Sequence, residues 1–285
     1  MNLSYRLLNV FTDGDNPFSG NPLCVFEDAQ GLSDEQMQDL ARQVNLSETS
    51  FITPGSGDVS ANVSANVRIF TPNYEMPFAG HPTLGTAYVV RELLGGGDTM
   101  LLRMPAGDIP VRVADDVWTL QANPPTSFRV DVPLADLTAM IGLTADRVAA
   151  APLWVDTGTV QLILPLKSAL DVRAASVDPK LLAEFATRPG GESLVYLWAP
   201  TGTETVEARL FFTQNNAAIE DPATGSACAN LGGWFVANGQ VGFRRRIHQG
   251  SAIRRPSVLD LTVDAEGTIF VSGAVHEVGH GTFTF

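Results

Sequence analysis

The chain has 285 residues, of which 45% are hydrophobic and 17% charged, and its formal net charge is −13. This is enough apolar material for about two ordinary domains. An acidic surface repels phosphate groups and no apolar run reaches about eighteen residues, so we expect no nucleic-acid or membrane partner.

The N-terminus turns acidic at Asp13 and Asp15 and lacks the apolar segment of a signal peptide. The only cysteines, Cys24 and Cys228, are too few for a disulfide framework. We therefore expect a cytoplasmic protein.

A first helix is predicted after Ser33, which can cap it while Gln36 reaches back. Leu32 and Met37 have the spacing of a hydrophobic staple. One apolar face follows, formed by Met37, Leu40, Ala41 and Val44.

Glu48 follows this helix and precedes an apolar strand. A lone glutamate is usually a surface residue, and that interpretation stays open. Between the hydroxyl side chains of Ser47 and Thr49, however, its carboxyl can be held partly dry. A carboxyl in that setting has a raised pKa and can transfer a proton near neutral pH.

Short apolar segments separated by Gly, Pro, Asn and Asp predict strands of a barrel-like sheet. They are Leu23–Phe26, Val67–Phe70, Leu101–Met104, Val160–Leu164, Leu194–Leu197 and Leu259–Val263.

Two segments resemble each other and indicate an internal repeat. One runs from Arg68–Thr71 to Gly80–Ala87, and the other from Arg209–Thr213 to Asp221–Ala227. Each gives a strand, a polar loop and then Pro-x-x-Gly-(Ser/Thr)-Ala opening a helix. In this alignment Pro82 and Pro222 take the first helical position, where a missing N–H costs nothing.

Both helices of the repeat are apolar nearly all round, which is typical of a helix enclosed by other elements. We expect an α+β fold of two pseudo-symmetric domains, each a mostly antiparallel barrel-like sheet around a central helix. The predicted domains are 1–122 and 123–285, with a final strand that can cross back to the first half. Asn123-Pro124-Pro125 breaks any regular element at this boundary.

Helix N-termini bind anions, and Gly80-His81 and Asp221 stand near two of them. Gly85, Gly225 and Ser226 permit close approach of a ligand. Asp221 as a simple N-cap and His81 as an ordinary loop histidine remain alternatives. Their matched place in the two halves favours a site, with both helix ends converging on one cleft.

No other motif indicates a cofactor or a metal, and the histidines and cysteines are too scattered for a metal site. The basic residues Arg244–Arg246 and Arg254–Arg255 fit a solvated turn or a subunit contact. The negative net charge of the whole chain remains compatible with a local pocket for a small anionic substrate.

Five segments of the chain together resemble the PhzF-like (phenazine biosynthesis-like) family, which shares the diaminopimelate epimerase fold. They are Asn16–Pro22, Asn45–Thr49, Glu75–Gly85, Glu220–Ala227 and Gln249-Gly250 with Arg255–Ser257. The resemblance covers nearly the whole chain. It implies a cofactor-independent isomerase, a homodimer, and an active site between two pseudo-symmetric halves.

By this resemblance Glu48 matches the family's catalytic glutamate, and His81 and Asp221 match catalytic groups that polarise the pocket. Ser226, Gly80 and Gly225 match groups that bind the substrate. The chemistry implied resembles isomerisation of trans-2,3-dihydro-3-hydroxyanthranilate, in which the glutamate moves a proton from one carbon to another.

Two departures matter. Where the family commonly has Gly before Arg-Pro-Ser, this chain has Arg254. Epimerases of the same fold use a thiol at each helix N-terminus, where this chain is expected to have Ala79 and Glu220-Asp221. Cys24 and Cys228 are expected in the core, so two-thiol racemisation is not expected.

Three hypotheses follow. The chain is a glutamate-dependent isomerase of a small anionic, cyclic carboxylate; or an epimerase with Glu48 and Asp221 as opposed bases; or a binding or scaffold protein on the same fold.

Overall fold

The computed structural model describes residues 2–53, 63–188 and 191–284. The chain forms two compact units, the first from Met1–Gln121 with Ser272–Phe285 and the second from Ala122–Val271. The last strand, Ile269–Thr284, therefore begins in the second unit and continues in the first. Within the described ranges, no helix is long and apolar enough to cross a membrane.

Nine strands and two helices make up most of the regular structure of the first unit. The strands are β1 (Asn2–Val10), β2 (Asn21–Phe26), β3 (Thr49–Thr53), β4 (Ala65–Phe70), β5 (Glu75–Met76), β6 (Thr99–Met104), β7 (Gly107–Ala114), β8 (Val117–Gln121) and the later part of β17 (Ile269–Thr284). The helices are α1 (Asp34–Val44) and α2 (Gly80–Leu94).

Eight of these strands close a barrel around α2. They pair in the order β1, β2, β3, β4, β6, β7, β8 and β17, and β17 pairs with β1 again. The pairs β2–β3 and β4–β6 are parallel. The helix contacts seven of the eight strands, which confirms the predicted central helix.

Helix α1 has the local signals that the sequence predicted. The Ser33 hydroxyl accepts from the N–H of Gln36, and the Gln36 side chain accepts from the N–H of Ser33. Asn45 ends the helix in the left-handed conformation, with φ of 55°. The predicted capping box is therefore confirmed. The apolar face of the helix packs on Phe26 and Phe51.

The second unit consists of a sheet with helices on both of its faces. The strands are β9 (Thr126–Arg129), β10 (Leu153–Asp156), β11 (Val160–Pro165), β12 (Leu194–Pro200), β13 (Thr205–Gln214), β14 (Ala217–Asp221), β15 (Phe243–Gln249) and β16 (Ser257–Val263). The helices are α3 (Leu134–Met140), α4 (Ala169–Ala174), α5 (Pro179–Phe185) and α6 (Gly225–Ala237).

Strands β9, β10, β11, β12, β13, β15 and β16 pair in that order, and β14 also pairs with β13. Helix α6 packs on β9, β10, β11 and β16, and Trp198 of β12 contacts the rings of Trp234 and Phe235. Helices α3, α4 and α5 pack with the core that includes Val195 and Leu197 of β12. The sequence did not predict these three helices.

The two units repeat one order of strand pairing. An antiparallel pair (β1–β2 or β10–β11) leads to a parallel pair (β2–β3 or β11–β12), and both patterns contain a second parallel pair, β4–β6 or β13–β15. Along the chain, the central helix lies between equivalent strands in each unit: α2 between β5 and β6, and α6 between β14 and β15. The predicted α+β fold with a pseudo-symmetric repeat is therefore confirmed.

One ion pair occurs at the same place in both units. Arg68 donates twice to Glu75 at 2.7 and 2.6 Å, and Arg209 donates twice to Glu220 at 3.1 and 2.7 Å. Each guanidinium also lies over the phenylalanine ring two residues later, at 5.0 and 4.6 Å. These pairs make Arg68 the counterpart of Arg209 and Glu75 the counterpart of Glu220.

The structure corrects the alignment of the two helix starts. Gly80 and Gly225 hold the first helical positions, whereas Pro82 is the third residue of α2 and Pro222 precedes the N-cap Thr224. The predicted equivalence of the two prolines is wrong because the hairpin of β13 and β14 is longer than that of β4 and β5: Phe211 pairs with Glu220, whereas its counterpart Phe70 pairs with Glu75. Arg244–Arg246 likewise lie on β15, not in a turn, and Arg246 pairs with Asp260 at 3.3 Å.

Candidate active site

Glu48 and His81 lie together in the first unit. Glu48 stands between the end of α1 and the start of β3, and His81 is the second residue of α2. Glu48 Oε2 is 3.6 Å from His81 Nε2, and the two side chains are 18% and 6% exposed. A carboxylate and an imidazole at this distance can exchange or share a proton after a small movement.

The start of α2 presents backbone N–H groups beside this pair. Its N-cap, Ala79, has no capping side chain, and Pro82 has no N–H. The first intrahelical bond comes from Thr83, whose N–H donates to the Ala79 carbonyl at 3.1 Å. The amides of Gly80 and His81 thus mark the positive end of the helix, which suits an anion.

Asp221 lies in the second unit, as the last residue of β14, and is 9% exposed. Its carboxylate accepts a hydrogen bond from the hydroxyl of Thr224, the N-cap of α6. Asp221 is therefore not the N-cap itself, which corrects that alternative. Gln249 Nε2 donates to the Asp221 carbonyl at 2.9 Å and to Thr224 Oγ1 at 3.0 Å.

Ser226 is the second residue of α6, in the place that His81 has in α2. Its hydroxyl accepts from Gln161 Nε2 at 3.1 Å. Gln161 in turn accepts from Asn230 Nδ2 at 2.8 Å, and both amide side chains are buried. The hydroxyl of Ser226 is thus oriented by a buried amide chain.

Gly250 is in close contact with the backbone that precedes α6. Its φ is +77°, and a Cβ there would lie 2.2 Å from the Arg255 carbonyl oxygen and 2.5 Å from that of Pro222. Only glycine fits such a contact with rigid backbone. Arg254 also has a left-handed backbone, with φ of 59°, which explains why a glycine would suit that position.

The register of the sheets gives each site residue its counterpart in the other unit. Ile69 pairs with Met76, and the equivalent pair in the second unit is Leu210 with Asp221. The counterpart of Asp221 is therefore Met76, and that of His81 is Ser226. The expectation that His81 and Asp221 occupy matched places is wrong.

Neither cysteine occupies an N-cap or first helical position: Cys24 lies in β2, and Cys228 is the fourth residue of α6. Burial raises the pKa of Cys24 to about 12, and burial also raises the pKa of Cys228. Both are core residues, as predicted. The position equivalent to Ala79 is Thr224, not Glu220 or Asp221 as expected, so a methyl group and a hydroxyl occupy the two N-cap positions.

Sequence reasoning missed four functional neighbours of these residues, namely Thr224, Gln249, Gln161 and Asn230. Gln249 lay inside a quoted motif, but its target depended on the pairing of β15 with β13. Gln161 and Asn230 lie in apolar segments, and a polar residue buried in such a segment needs a hydrogen-bond partner. The sequence therefore indicated that Gln161 and Asn230 have hydrogen-bond partners, but it did not identify those partners.

The family model described as phenazine biosynthesis-like protein, PhzC-PhzF, matches residues 8–281. A protein of Pasteurella multocida described as an uncharacterized isomerase is 40% identical over 98% of this chain and 93% of its own length. The trans-2,3-dihydro-3-hydroxyanthranilate isomerase of Pseudomonas aeruginosa is 31% identical over 97% of this chain and 95% of its own.

A solved structure also matches across the whole length. A predicted epimerase from Pseudomonas aeruginosa gives a TM-score of 0.82 with 28% identity, covering 99% of each chain. The sheets and central helices described above are therefore those of a known fold.

Proposed function

The chain belongs to the phenazine biosynthesis-like family of isomerases, and on that premise we propose that it moves a proton between two carbons of a small cyclic carboxylate, with Glu48 as the acid–base group. The proposal rests on one observation. Glu48 Oε2 and His81 Nε2 lie 3.6 Å apart at the start of α2, and both side chains are largely shielded from water. A proton-transfer group needs both a partner and restricted water.

The reaction begins with ionised Glu48 taking a proton from a substrate carbon. The electron pair of that C–H bond enters the conjugated system of the substrate, and the neutral carboxyl then returns the proton to a second carbon. One C–H bond breaks and one forms, so no atom is gained or lost. These steps use only groups of the chain.

His81 and the first amides of α2 stabilise the negative charge that develops on the substrate. Oriented N–H groups at a helix start carry partial positive charge and need no rearrangement during the reaction. We also assign Asp221, Ser226 and Gly225, at the start of α6, to substrate binding as hydrogen-bonding groups. Their participation is part of the proposal.

A second candidate is an epimerase, in which Asp221 is a second base. Its carboxylate at a helix start and the solved structure described as a predicted epimerase favour this reaction. An epimerase inverts one carbon, whereas an isomerase of the proposed kind joins proton loss at one carbon to proton gain at another.

The test is incubation in deuterated water with trans-2,3-dihydro-3-hydroxyanthranilate and a panel of related cyclic carboxylates, followed by NMR. Deuterium at a new carbon of a rearranged product supports the isomerase. Deuterium at an inverted stereocentre supports the epimerase, and no exchange across the panel contradicts both.

A further inference from the structure

We propose that two buried glutamines, Gln161 and Gln249, fix the direction of the hydrogen bonds at the start of α6. Ser226 then presents a hydrogen-bond donor and Asp221 an acceptor to any ligand bound there. This inference rests on the proposed function only in taking the start of α6 as a substrate-binding site.

The orientation of the Gln249 amide follows from its backbone partners. Its Nε2 is 2.9 Å from the Asp221 carbonyl, which can only accept, and its Oε1 is 3.4 Å from the Thr224 N–H, which can only donate. The second hydrogen of Nε2 therefore points to Thr224 Oγ1, 3.0 Å away.

This amide determines the direction of the Thr224 hydroxyl. Because Thr224 Oγ1 accepts from Gln249, its single proton is available for the Asp221 carboxylate. Asp221 Oδ2 then accepts, which favours the ionised carboxylate. Gln249 thus keeps Asp221 a hydrogen-bond acceptor without touching its carboxylate.

The same bond diverts Thr224 from its usual role. A threonine N-cap ordinarily accepts from a first-turn amide, and Thr224 makes no such bond. By contrast, the hydroxyls of Ser33 and Ser168 both cap their helices. The start of α6 therefore keeps its N–H groups available for an anionic group.

A parallel chain fixes Ser226. Asn230 Nδ2 donates to the Thr159 carbonyl and to Gln161 Oε1, both at 2.8 Å, so the Asn230 orientation is set by a group that can only accept. Gln161 must then offer Nε2 to Ser226 Oγ, at 3.1 Å. The hydroxyl proton of Ser226 is directed elsewhere, as a donor.

The two directions define the ligand by its chemistry. An anionic or carbonyl oxygen matches Ser226 and the helix amides, and an ammonium, amine or hydroxyl group matches Asp221. A cyclic carboxylate with an adjacent amino group satisfies both. Carboxylates without that donor make no hydrogen bond to Asp221, so they should bind less tightly than those that have it.

The test measures binding of three matched probes by calorimetry: anthranilate, which has both groups, benzoate, which lacks the amine, and aniline, which lacks the carboxylate. Wild-type protein should bind anthranilate about ten-fold more tightly than either of the other two, as expected for hydrogen bonds to charged groups. Equal affinities, or no binding of any probe, would overturn the proposal.

Two isosteric variants separate the two halves. Gln249→Glu removes the donor to Thr224 and adds a like charge near Asp221, which favours a protonated carboxyl, so the preference for anthranilate over benzoate should disappear. Gln161→Glu accepts the Ser226 proton, so the preference over aniline should disappear. Unchanged ratios in folded variants would contradict the inference.

Gln38→Glu is the matched control, because Gln38 also donates to a backbone carbonyl, that of Thr71, in the first unit. Its ratios should equal those of the wild type. Should a buried glutamate prevent folding, Thr224→Val and Thr224→Ser give the same test, since only serine keeps the hydroxyl and the benzoate discrimination. Binding ratios do not depend on turnover, so they can hold while the proposed isomerisation fails.

Discussion

The starts of α2 and α6 have the same backbone setting and different side chains. Each follows a short strand, begins at a glycine and makes no side-chain cap. The N-caps are Ala79 and Thr224, and the second residues are His81 and Ser226. The repeat thus preserves the backbone arrangement of the helix start, while the side chains there differ between the units.

The groups around these ends differ more sharply. By strand register, the first-unit counterpart of Gln249 is Met104 of β6, and the counterpart of Gln161 is Leu23 of β2. A Cβ on Gly85, the counterpart of Asn230, would lie 2.5 Å from the Leu23 side chain. The first unit therefore fills with apolar contacts the space in which the second unit builds its amide chains.

The carboxylates are also distributed unequally. The counterpart of Glu48 is Leu194, and the counterpart of Asp221 is Met76. Each unit therefore contributes one acid at a different place. In our proposals the first unit offers a proton-transfer pair, and the second offers hydrogen bonds of fixed direction.

Glu48→Gln should produce the largest effect on this comparison, because it removes the proposed proton-transfer group, whose counterpart in the second unit is Leu194. Turnover should fall by roughly 10²–10⁴ with little change in melting temperature. Steady-state kinetics with any converted substrate measures this loss. Glu35→Gln, on an exposed position of α1, is the control and should keep full activity. Near-normal turnover of Glu48→Gln would remove Glu48 from the mechanism.

Gly250→Ala tests how far the second helix end depends on tight packing. The new Cβ would meet two backbone carbonyls at 2.2 and 2.5 Å, so we expect roughly 3 kcal/mol of lost stability in urea unfolding. Gly239→Ala has a similar φ of +73° with nothing within 4 Å, and should cost only about 1 kcal/mol. Equal losses would mean that backbone strain alone requires glycine at 250.

Local signals predicted the fold well. The Ser33 capping box and the apolar all-round character of α2 are encoded by neighbouring residues, and both were found. Helices α4 and α5 were missed although Ser168 and Asp178 cap them, because each is only six or seven residues long and its apolar face is evident only from the packed core.

Matching of the two halves failed for a different reason. Four residues separate Phe70 from Glu75, and eight separate Phe211 from Glu220. Matching the motif Pro-x-x-Gly-(Ser/Thr)-Ala alone ignores this difference, and it joined Pro82 to Pro222. Pairing across strands, which fixes the true register, depends on long-range contacts that a local motif does not contain.

The two thiols give a third test, because Cys24 belongs to the first unit and Cys228 to the second. Cys24→Ala and Cys228→Ala should each cost about 1–2 kcal/mol of stability and leave turnover within about two-fold. With the pKa of Cys24 at about 12 and that of Cys228 also raised, both thiols stay protonated at pH 8 in the folded protein.

Iodoacetamide should therefore label the folded protein slowly at pH 8, and quickly only in urea, where the thiols regain their ordinary pKa. Mass spectrometry after timed quenching measures both rates. Rapid labelling of Cys228 with parallel loss of turnover would restore a thiol mechanism.

The smallest expected effect concerns Tyr196 and its counterpart Ser50, whose hydroxyls are both buried and make no hydrogen bond within the described part of the chain. Burial raises the pKa of Tyr196 well above its usual value, so the phenol stays neutral. A buried hydroxyl without a partner costs stability, and its removal restores part of that cost. Tyr196→Phe should therefore raise the free energy of unfolding by about 0–1 kcal/mol.

Ser50→Ala should behave in the same direction, which makes the two variants a matched pair at one position of the repeat. Urea unfolding with an unchanged slope gives the stability difference for each. A loss above about 1 kcal/mol in only one variant would show that its hydroxyl binds an ordered water, since such waters bridge buried polar groups. A loss at Tyr196 alone would then add a further polar group to the set around Asp221, because the charge of Asp221 contributes to the raised pKa of that phenol.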